Sequence, residues 1–340
     1  MTVVSKKVLI APLNWGLGHA TRCIPLIKKY LSEGCDVHIA SDGEALKILQ
    51  KEFENLKYFT LPSYDVRYGA EDNFFTSLLF QLPSLMKNIS KEFVFIQQLQ
   101  KEHNYDLIIS DNRPGVKSKK TKSVYITHQL QFKVKYGSRI GQRFHKMLYK
   151  DFDEVWVPDV KAPMNLAGEL SVSKSKKVKY IGHLTRAQKV LEAKIYDVLL
   201  LLSGPEPQRS KLEDALFKQL KSTKLKVALI RGTSVPRLRT NPKFIIIDLA
   251  NSAEIDQLVA QSKVIVARAG YSTLMDLAVW KKPCVLIPTP GQPEQEYLGE
   301  YIELNNWALV SSQKELSIKN QIEEAKVFGF DNYQEFKLPD

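Results

Sequence analysis

The stretch VIVARAGYSTLMD, residues 264–276, decides how the chain is read. Val264, Ile265 and Val266 form a continuous apolar run, the pattern of a strand covered on both faces. The chain then turns through Arg268, Ala269 and Gly270 and starts a helix at Ser272 or Thr273. A strand that ends in a glycine turn aims backbone N–H groups and a helix N-terminus at one point, which suits an anion, often a phosphate. Thr273 with Asp276 also fits a capping box, in which case Gly270 serves only the turn. Asp276 lies about one turn inside the helix, where a carboxylate can accept the hydroxyls of a ribose seated at the helix start.

The same strand-turn-helix unit recurs outward from this point. Strands are expected at 7–11, 36–40, 106–110, 123–127 and 154–157, and again at 197–203, 226–230, 244–247, 264–267 and 284–287. Helical patterns lie at 19–33, 75–101, 210–221, 252–262 and 272–281, and another helix is expected after Ser317. Strands alternating with helices mean a doubly wound α/β fold, and a break near 180–189 divides it in two. The expected boundaries are a first Rossmann-like domain over 1–183, a connection over 184–196, a second domain over 197–317 and a tail over 318–340. Ligands of open α/β sheets sit beyond the carboxyl ends of the strands, so two such halves would face a ligand across a cleft.

Three more turns carry polar residues. NWGLGHATR follows the first strand, with Gly16 and Gly18 allowing close backbone approach and His19 at the helix start. A neutral histidine there suits proton abstraction, although a tight turn with a histidine cap explains the same residues. SGPEPQRS offers Ser203 and Gly204 to a phosphate oxygen, with Arg209 and Arg231 to offset Glu206. Ser210 with Glu213 fits a capping box, the plainer explanation of that turn. After the strand ending at Ile287 comes a segment read as a loop, rich in Gln292, Glu294, Gln295 and Glu296.

Composition narrows the classes. The 340 residues carry a net charge of +12, and 28 Lys and Arg against 18 Asp and Glu fall in residues 1–183. Between Asn112 and Lys150 there are 11 basic residues and no carboxylate. Such a field attracts phosphates of a lipid surface, a nucleic acid or an acidic substrate. Cys23, Cys35 and Cys284 have neither metal nor redox spacing and read as reduced packing residues of a cytoplasmic protein. No apolar run is long enough for a membrane span. The G-x-G-x-x-G dinucleotide fingerprint and the G-x-x-x-x-G-K-[ST] phosphate loop are both absent, which argues against a dehydrogenase and a Walker-type nucleotidase.

With these residues in view, the sequence resembles GT-B nucleotide-sugar glycosyltransferases with a MurG-type, family 28 C-terminal domain. The resemblance is most specific over 264–302, where the family pattern R-[AS]-G-x-x-T, an acid three residues on, and P-x-x-x-Q corresponds to Arg268, Ala269, Gly270, Thr273, Asp276, Pro288 and Gln292, followed by Gln295 and Glu296. It implies that the helix start at Gly270, Tyr271, Ser272 and Thr273 holds the donor diphosphate. It also implies that Asp276, one methylene shorter than the usual glutamate, holds the ribose and that Gln292, Gln295 and Glu296 touch the sugar. Relatives carry G-G-x-G-G-H where this chain has Asn14 to His19, and G-G-S-x-G where only Ser203 and Gly204 remain. Thr127, His128 and Gln129 stand where relatives carry an acceptor-side H-E-x-N, although an ordinary loop after the strand explains His128, and the resemblance implies that the helix after Ser317 returns to the first half.

The expected reaction moves a hexose-type sugar, N-acetylglucosamine or a related one, from a UDP-sugar to an acceptor hydroxyl. His19 is the expected base and inversion the expected outcome, with no divalent cation required; Asp111 is the best lone metal-ligand candidate. The basic first half and the apolar stretch 73–86 suit a lipid-linked or cell-envelope glycan acceptor at the inner face of the membrane. A core helix explains that apolar stretch equally, and a solvated lysine surface the basic run. Two other readings remain at this stage: a nucleotide-sugar epimerase of the same fold, and a non-catalytic nucleotide or nucleic-acid binder. The second lacks any RNA-binding aromatic motif, helix-turn-helix signature or zinc spacing, so no nucleic-acid partner is expected.

Overall fold

Runs of Val, Ile and Leu followed by amphipathic helices become parallel strands with crossover helices. A computed structural model describes residues 5–15, 17–64, 74–131 and 138–330. Its described residues divide into two units, 5–15 with 19–184, and 17–18 with 185–330.

The first unit contains strands β1 (Lys7–Pro12), β2 (Asp36–Ser41), β3 (Lys57–Thr60), β4 (Leu107–Asp111), β5 (Lys122–Ile126), β6 (Glu154–Val157) and β7 (Val178–Tyr180). Among the described residues they form one parallel sheet in the order β3-β2-β1-β4-β5-β6-β7. Helices α1 (Gly18–Ser32), α2 (Gly43–Glu52), α3 (Phe74–His103) and α4 (Ser138–Tyr149) make the crossovers. Leu9, Ala11, Ala40, Ile96, Leu99 and Ile108 are buried together between sheet and helices.

The second unit repeats the plan with β8 (Tyr196–Leu201), β9 (Val227–Ile230), β10 (Phe244–Ile247), β11 (Ser262–Ala267), β12 (Cys284–Leu286) and β13 (Leu309–Val310). Their order is β10-β9-β8-β11-β12-β13, again all parallel. The order steps outward from the first strand and then reverses, as in a Rossmann fold. The helices are α5 (Gln208–Leu220), α6 (Ser252–Gln261), α7 (Tyr271–Trp280), α8 (Pro293–Leu304) and α9 (Ile318–Glu324). The β9-to-β10 crossover, residues 231–243, contains no helix.

Several expectations are corrected. The segment after Ile287 is not all loop, because Pro293 opens α8 and places Glu294, Gln295 and Glu296 in its first turn. Neither expected capping box forms. α7 has Gly270 at its N-cap with no side-chain cap, and α5 starts behind Pro207 with Glu213 drawn into arginine ion pairs. A capping box does form at Asn251 and Glu254, opening α6. The tail set apart at 318 is core up to Ala325, since Ile318, Ile322 and Ala325 pack with Leu212, Leu216 and Leu220 of α5. Gly16, residues 132–137 of the basic run, the tail from 331, and the side chains up to residue 80 of the 73–86 stretch lie outside the described residues.

Candidate functional site

Register decides which turns share an edge. In the second unit Leu201 pairs with Ile230 and Ala267, and Ala267 pairs with Leu286. These four strands therefore end level. Ser203 and Gly204, Arg231, Arg268 to Gly270, and Thr289 to Gln292 all follow at one carboxyl edge.

At that edge α7 begins without a side-chain cap. The first N–H groups of a helix have no intrahelical partner, and the helix dipole adds partial positive charge there. Gly270 has φ −84°, ordinary extended backbone that any residue adopts, and an added Cβ would meet nothing nearer than Thr273 Oγ1 at 3.9 Å and Gln295 Nε2 at 4.0 Å. Neither backbone strain nor internal crowding requires a glycine at this position. Gly204 differs, since its φ of 105° is a conformation side chains rarely adopt.

Arg268 is 1% exposed. Its guanidinium donates to the carbonyls of Ile287 and Pro288, both at 3.2 Å, and of Gln208 at 2.8 Å. No carboxylate pairs with it among the described residues, and Nε has no hydrogen-bond partner. Burial lowers its pKa to about 10, so the cation persists at neutral pH. Thr289 Oγ1 and Gln292 Oε1 are likewise buried without a partner, while Gln295 Oε1 accepts from Thr289 N at 2.9 Å and Glu296 Oε1 from Gly291 N at 3.0 Å. A charge without a counter-ion and several unsatisfied polar atoms beside an open helix start fit an anionic, hydroxyl-rich ligand.

Asp276 and Arg231 are committed elsewhere. Asp276 accepts from Thr185 Oγ1 at 2.7 Å and stands 3.8 Å from the Arg186 guanidinium. Burial raises its pKa to about 6. Arg231 donates to Glu213 and Asp248 and to the carbonyl of Val235. Glu213 also takes Arg209 and Arg239, and Arg209 alone offsets Glu206.

In the first unit Asp111 pairs with Pro12 and Ile126 across the sheet, which sets the β4 end between the turn that opens α1 and the turn after β5. His19 is the second residue of α1 and Arg22 one turn on. Asp111, completely buried, accepts from Arg22 Nε at 2.6 Å and from Cys23 Sγ at 3.6 Å, and lies 3.0 Å from His19 Nδ1. Burial alone would raise its pKa, but the charge of Arg22 and the contact with His19 hold it well below the usual carboxylate range. Asp111, the best lone metal-ligand candidate of the sequence, is thus committed to an ion pair. Arg22 Nη1 lies 3.0 Å from His128 Nδ1. Because a guanidinium only donates, that nitrogen accepts and the His128 proton sits on Nε2. Gln129 N donates to Thr127 Oγ1 at 3.2 Å.

His19 Nδ1 lies 3.0 Å from Asp111 Oδ1 and 2.8 Å from Arg22 Nη2. It can donate to the carboxylate or accept from the guanidinium, not both at once. The first tautomer leaves the Nε2 lone pair for a substrate proton. Burial, and then Arg22, push the His19 pKa below 6.5, so the ring is neutral at pH 7. Arg22 was missed in the sequence because its partner stands 89 positions away.

The basic run is less available than its count implies. Arg113 is completely buried, donating to Glu92, to Asp42 at 2.6 Å and to Pro62 O at 2.8 Å. Lys117 pairs with Asp151 and Lys122 with Glu154. No helix among the described residues is long and apolar enough to cross a membrane.

Residues 209–334 match the glycosyltransferase family 28 C-terminal domain. An uncharacterized glycosyltransferase of Methanosarcina mazei is 21% identical over 320 residues, covering 87% of this chain and 83% of the relative. Among solved structures, the glycosyltransferase of kitacinnamycin is similar with a TM-score of 0.62 and 13% identity, over 95% of this chain and 91% of that one. The glycosyltransferase VinC, solved with dTDP, has a TM-score of 0.58 and 12% identity, over 94% and 90%.

Proposed function

From the premise that this chain is a glycosyltransferase of the GT-B fold with a family 28 C-terminal domain, we propose that it transfers a hexose-type sugar, N-acetylglucosamine or a related one, from a UDP-sugar to an acceptor hydroxyl with inversion. The observation that carries the donor half of this reading is the uncapped start of α7 at Gly270, beside the buried Arg268 that lacks a counter-ion. A diphosphate there accepts from first-turn N–H groups, and the space that a side chain at position 270 would fill is left to it. The acceptor oxygen attacks the anomeric carbon, the carbon–oxygen bond to the diphosphate breaks, and the electron pair leaves with the diphosphate. The acceptor proton goes to His19 Nε2 while Nδ1–H donates to Asp111. A positioned base contributes about 10²–10⁴-fold. A helix start contributes only about 0.3–2 kcal/mol, so several N–H donors and Arg268 share the leaving charge and no divalent cation is required. The acceptor is a lipid-linked or cell-envelope glycan, met at an anionic inner membrane face.

The test is a thermal-shift panel of UDP, dTDP, GDP, NAD and UDP-sugars, followed by turnover with candidate acceptors. At 100 times its Kd a ligand adds about 2.7 kcal/mol. Stabilisation by UDP above the other nucleotides supports the reading, preference for dTDP moves the donor to that nucleotide, and indifference to all of them ends it. Isomer formation from donor alone would make the protein an epimerase.

A further inference from the structure

Between Asp214 and Asp248 the chain carries eight basic residues and no acidic one. This second basic run sits in the half of the chain whose overall charge is nearly balanced. It spans the end of α5 and the whole β9-to-β10 crossover, where no helix forms. The crossover lies along α5: Arg237 and Arg239 pair with Asp214, Arg239 stacks on the Phe217 ring at 4.6 Å, Asn241 Nδ2 donates to Lys221 O at 3.1 Å and Lys243 Nζ to Thr223 O at 3.1 Å. Asp214, Lys218 and Lys221 recur every three to four residues and so line that same face of α5.

Held in this frame, the tip points its apolar side chains outward. Leu238 is 96% exposed and Val235 64% exposed. Lys218, Lys221 and Lys224 are exposed and pair with no carboxylate among the described residues. Beside the tip is a shallow recess of about 360 Å³ lined by Arg239, Thr240, Asn241, Pro242, Phe244 and Ile246.

We propose that this face, the 234–243 crossover with Lys218, Lys221 and Lys224 at and just beyond the end of α5, docks on an anionic lipid surface, with Leu238 and Val235 entering the acyl boundary and the lysines meeting headgroup phosphates. Exposed apolar side chains beside ammonium groups are complementary to a surface that offers both hydrocarbon and negative charge. A nucleic acid would satisfy the lysines and leave Leu238 and Val235 in water. The docking rests on the membrane-facing part of the proposed function, but none of these residues belongs to the donor or His19 sites, so nucleotide binding tests the transfer separately from vesicle binding.

The experiment uses the full chain and extruded vesicles, either phosphatidylcholine alone or an equimolar mixture with phosphatidylglycerol. The expected result is sedimentation with the mixed vesicles at low salt and little with phosphatidylcholine. Partitioning should fall about tenfold or more in V235S/L238S, as loss of two apolar side chains that enter the acyl boundary implies, and again in K218E/K221E. The tryptophan emission of L238W should move to the blue only with the anionic vesicles. All three variants alter exposed side chains, and an unchanged circular dichroism spectrum verifies their fold. The proposal is overturned if the wild type ignores the vesicles or if V235S/L238S partitions like the wild type. It is overturned equally if only K119E/K120E, in the first basic run, abolishes binding, or if a single-stranded oligonucleotide is bound in place of lipid.

Discussion

Asp111→Asn is the most informative perturbation of the first unit. The carboxylate is completely buried and Arg22 is 2% exposed, so the pair is held out of water on both sides. The substitution keeps the shape of the side chain but leaves the guanidinium buried opposite a neutral amide. Breaking a buried pair from one side costs about 3–5 kcal/mol, because an uncompensated charge remains. Arg22→Met breaks it from the other side at a similar cost. The double variant removes both charges and should lose much less than the sum, giving a coupling of roughly 2 kcal/mol or more. The sign with pH also follows. Arg22 keeps the folded Asp111 pKa below its unfolded value, so its stabilisation is fully present above about pH 4 and fades as pH falls, when the unfolded chain takes up the proton. Hydrogen exchange of the β1 and β4 amides reads the opening free energy of this unit without interference from the other. Single variants that each cost under about 1 kcal/mol at pH 7, or costs that simply add, would refute the view that one buried ion pair organises the His19 surroundings.

Four further outcomes are expected. His19→Ala should lower kcat by about 10²–10⁴-fold with nucleotide binding unchanged, measured by turnover and calorimetry. Because burial and Arg22 lower the His19 pKa, the acid limb of kcat/KM should lie below pH 6.5, with the rate falling as pH drops through it; a midpoint above 7 would contradict this. Gly270→Val should melt within a degree or two of the wild type, since the position is open, yet lose the stabilisation by donor nucleotide. Asp276, raised to about 6 by burial, holds its proton more tightly folded than unfolded, so it costs roughly 3 kcal/mol once pH rises through 6. In Asp276→Asn the decline in stability of the second unit between pH 4 and 7, followed by urea unfolding, should flatten.

The sequence made some elements plain and hid others for local reasons. β3 reads K-Y-F-T on a sheet edge with no fully buried residue, so neither alternation nor a continuous apolar run marks it. β13 is two residues long. α8 carries a local signal, Pro293 at its first turn followed by Glu294 and Glu296, but its polar first turn after a proline- and glycine-rich segment also fits a loop. Asn251 and Glu254 spelled a capping box as clearly as the two pairs that failed. Those failed because α5 and α7 start three residues earlier, behind Pro207 and Gly270, which leaves Ser210 and Thr273 inside the helices, and Glu213 and Asp276 instead meet three arginines and Thr185.

What the sequence by itself determined was the two-fold repetition of a doubly wound sheet and the glycine turn at 268–273, since continuous apolar runs and turn residues act within a few positions of the chain. Only the tertiary structure decided which charges remain for a ligand. Level strand ends bring Arg268 to an edge where no carboxylate pairs with it among the described residues, while Arg22, Arg113 and Arg231 meet acids at least 17 positions distant and are neutralised. Burial raises the cost of every unpaired charge, and burial is set by the packing of distant segments, which no local stretch of sequence records.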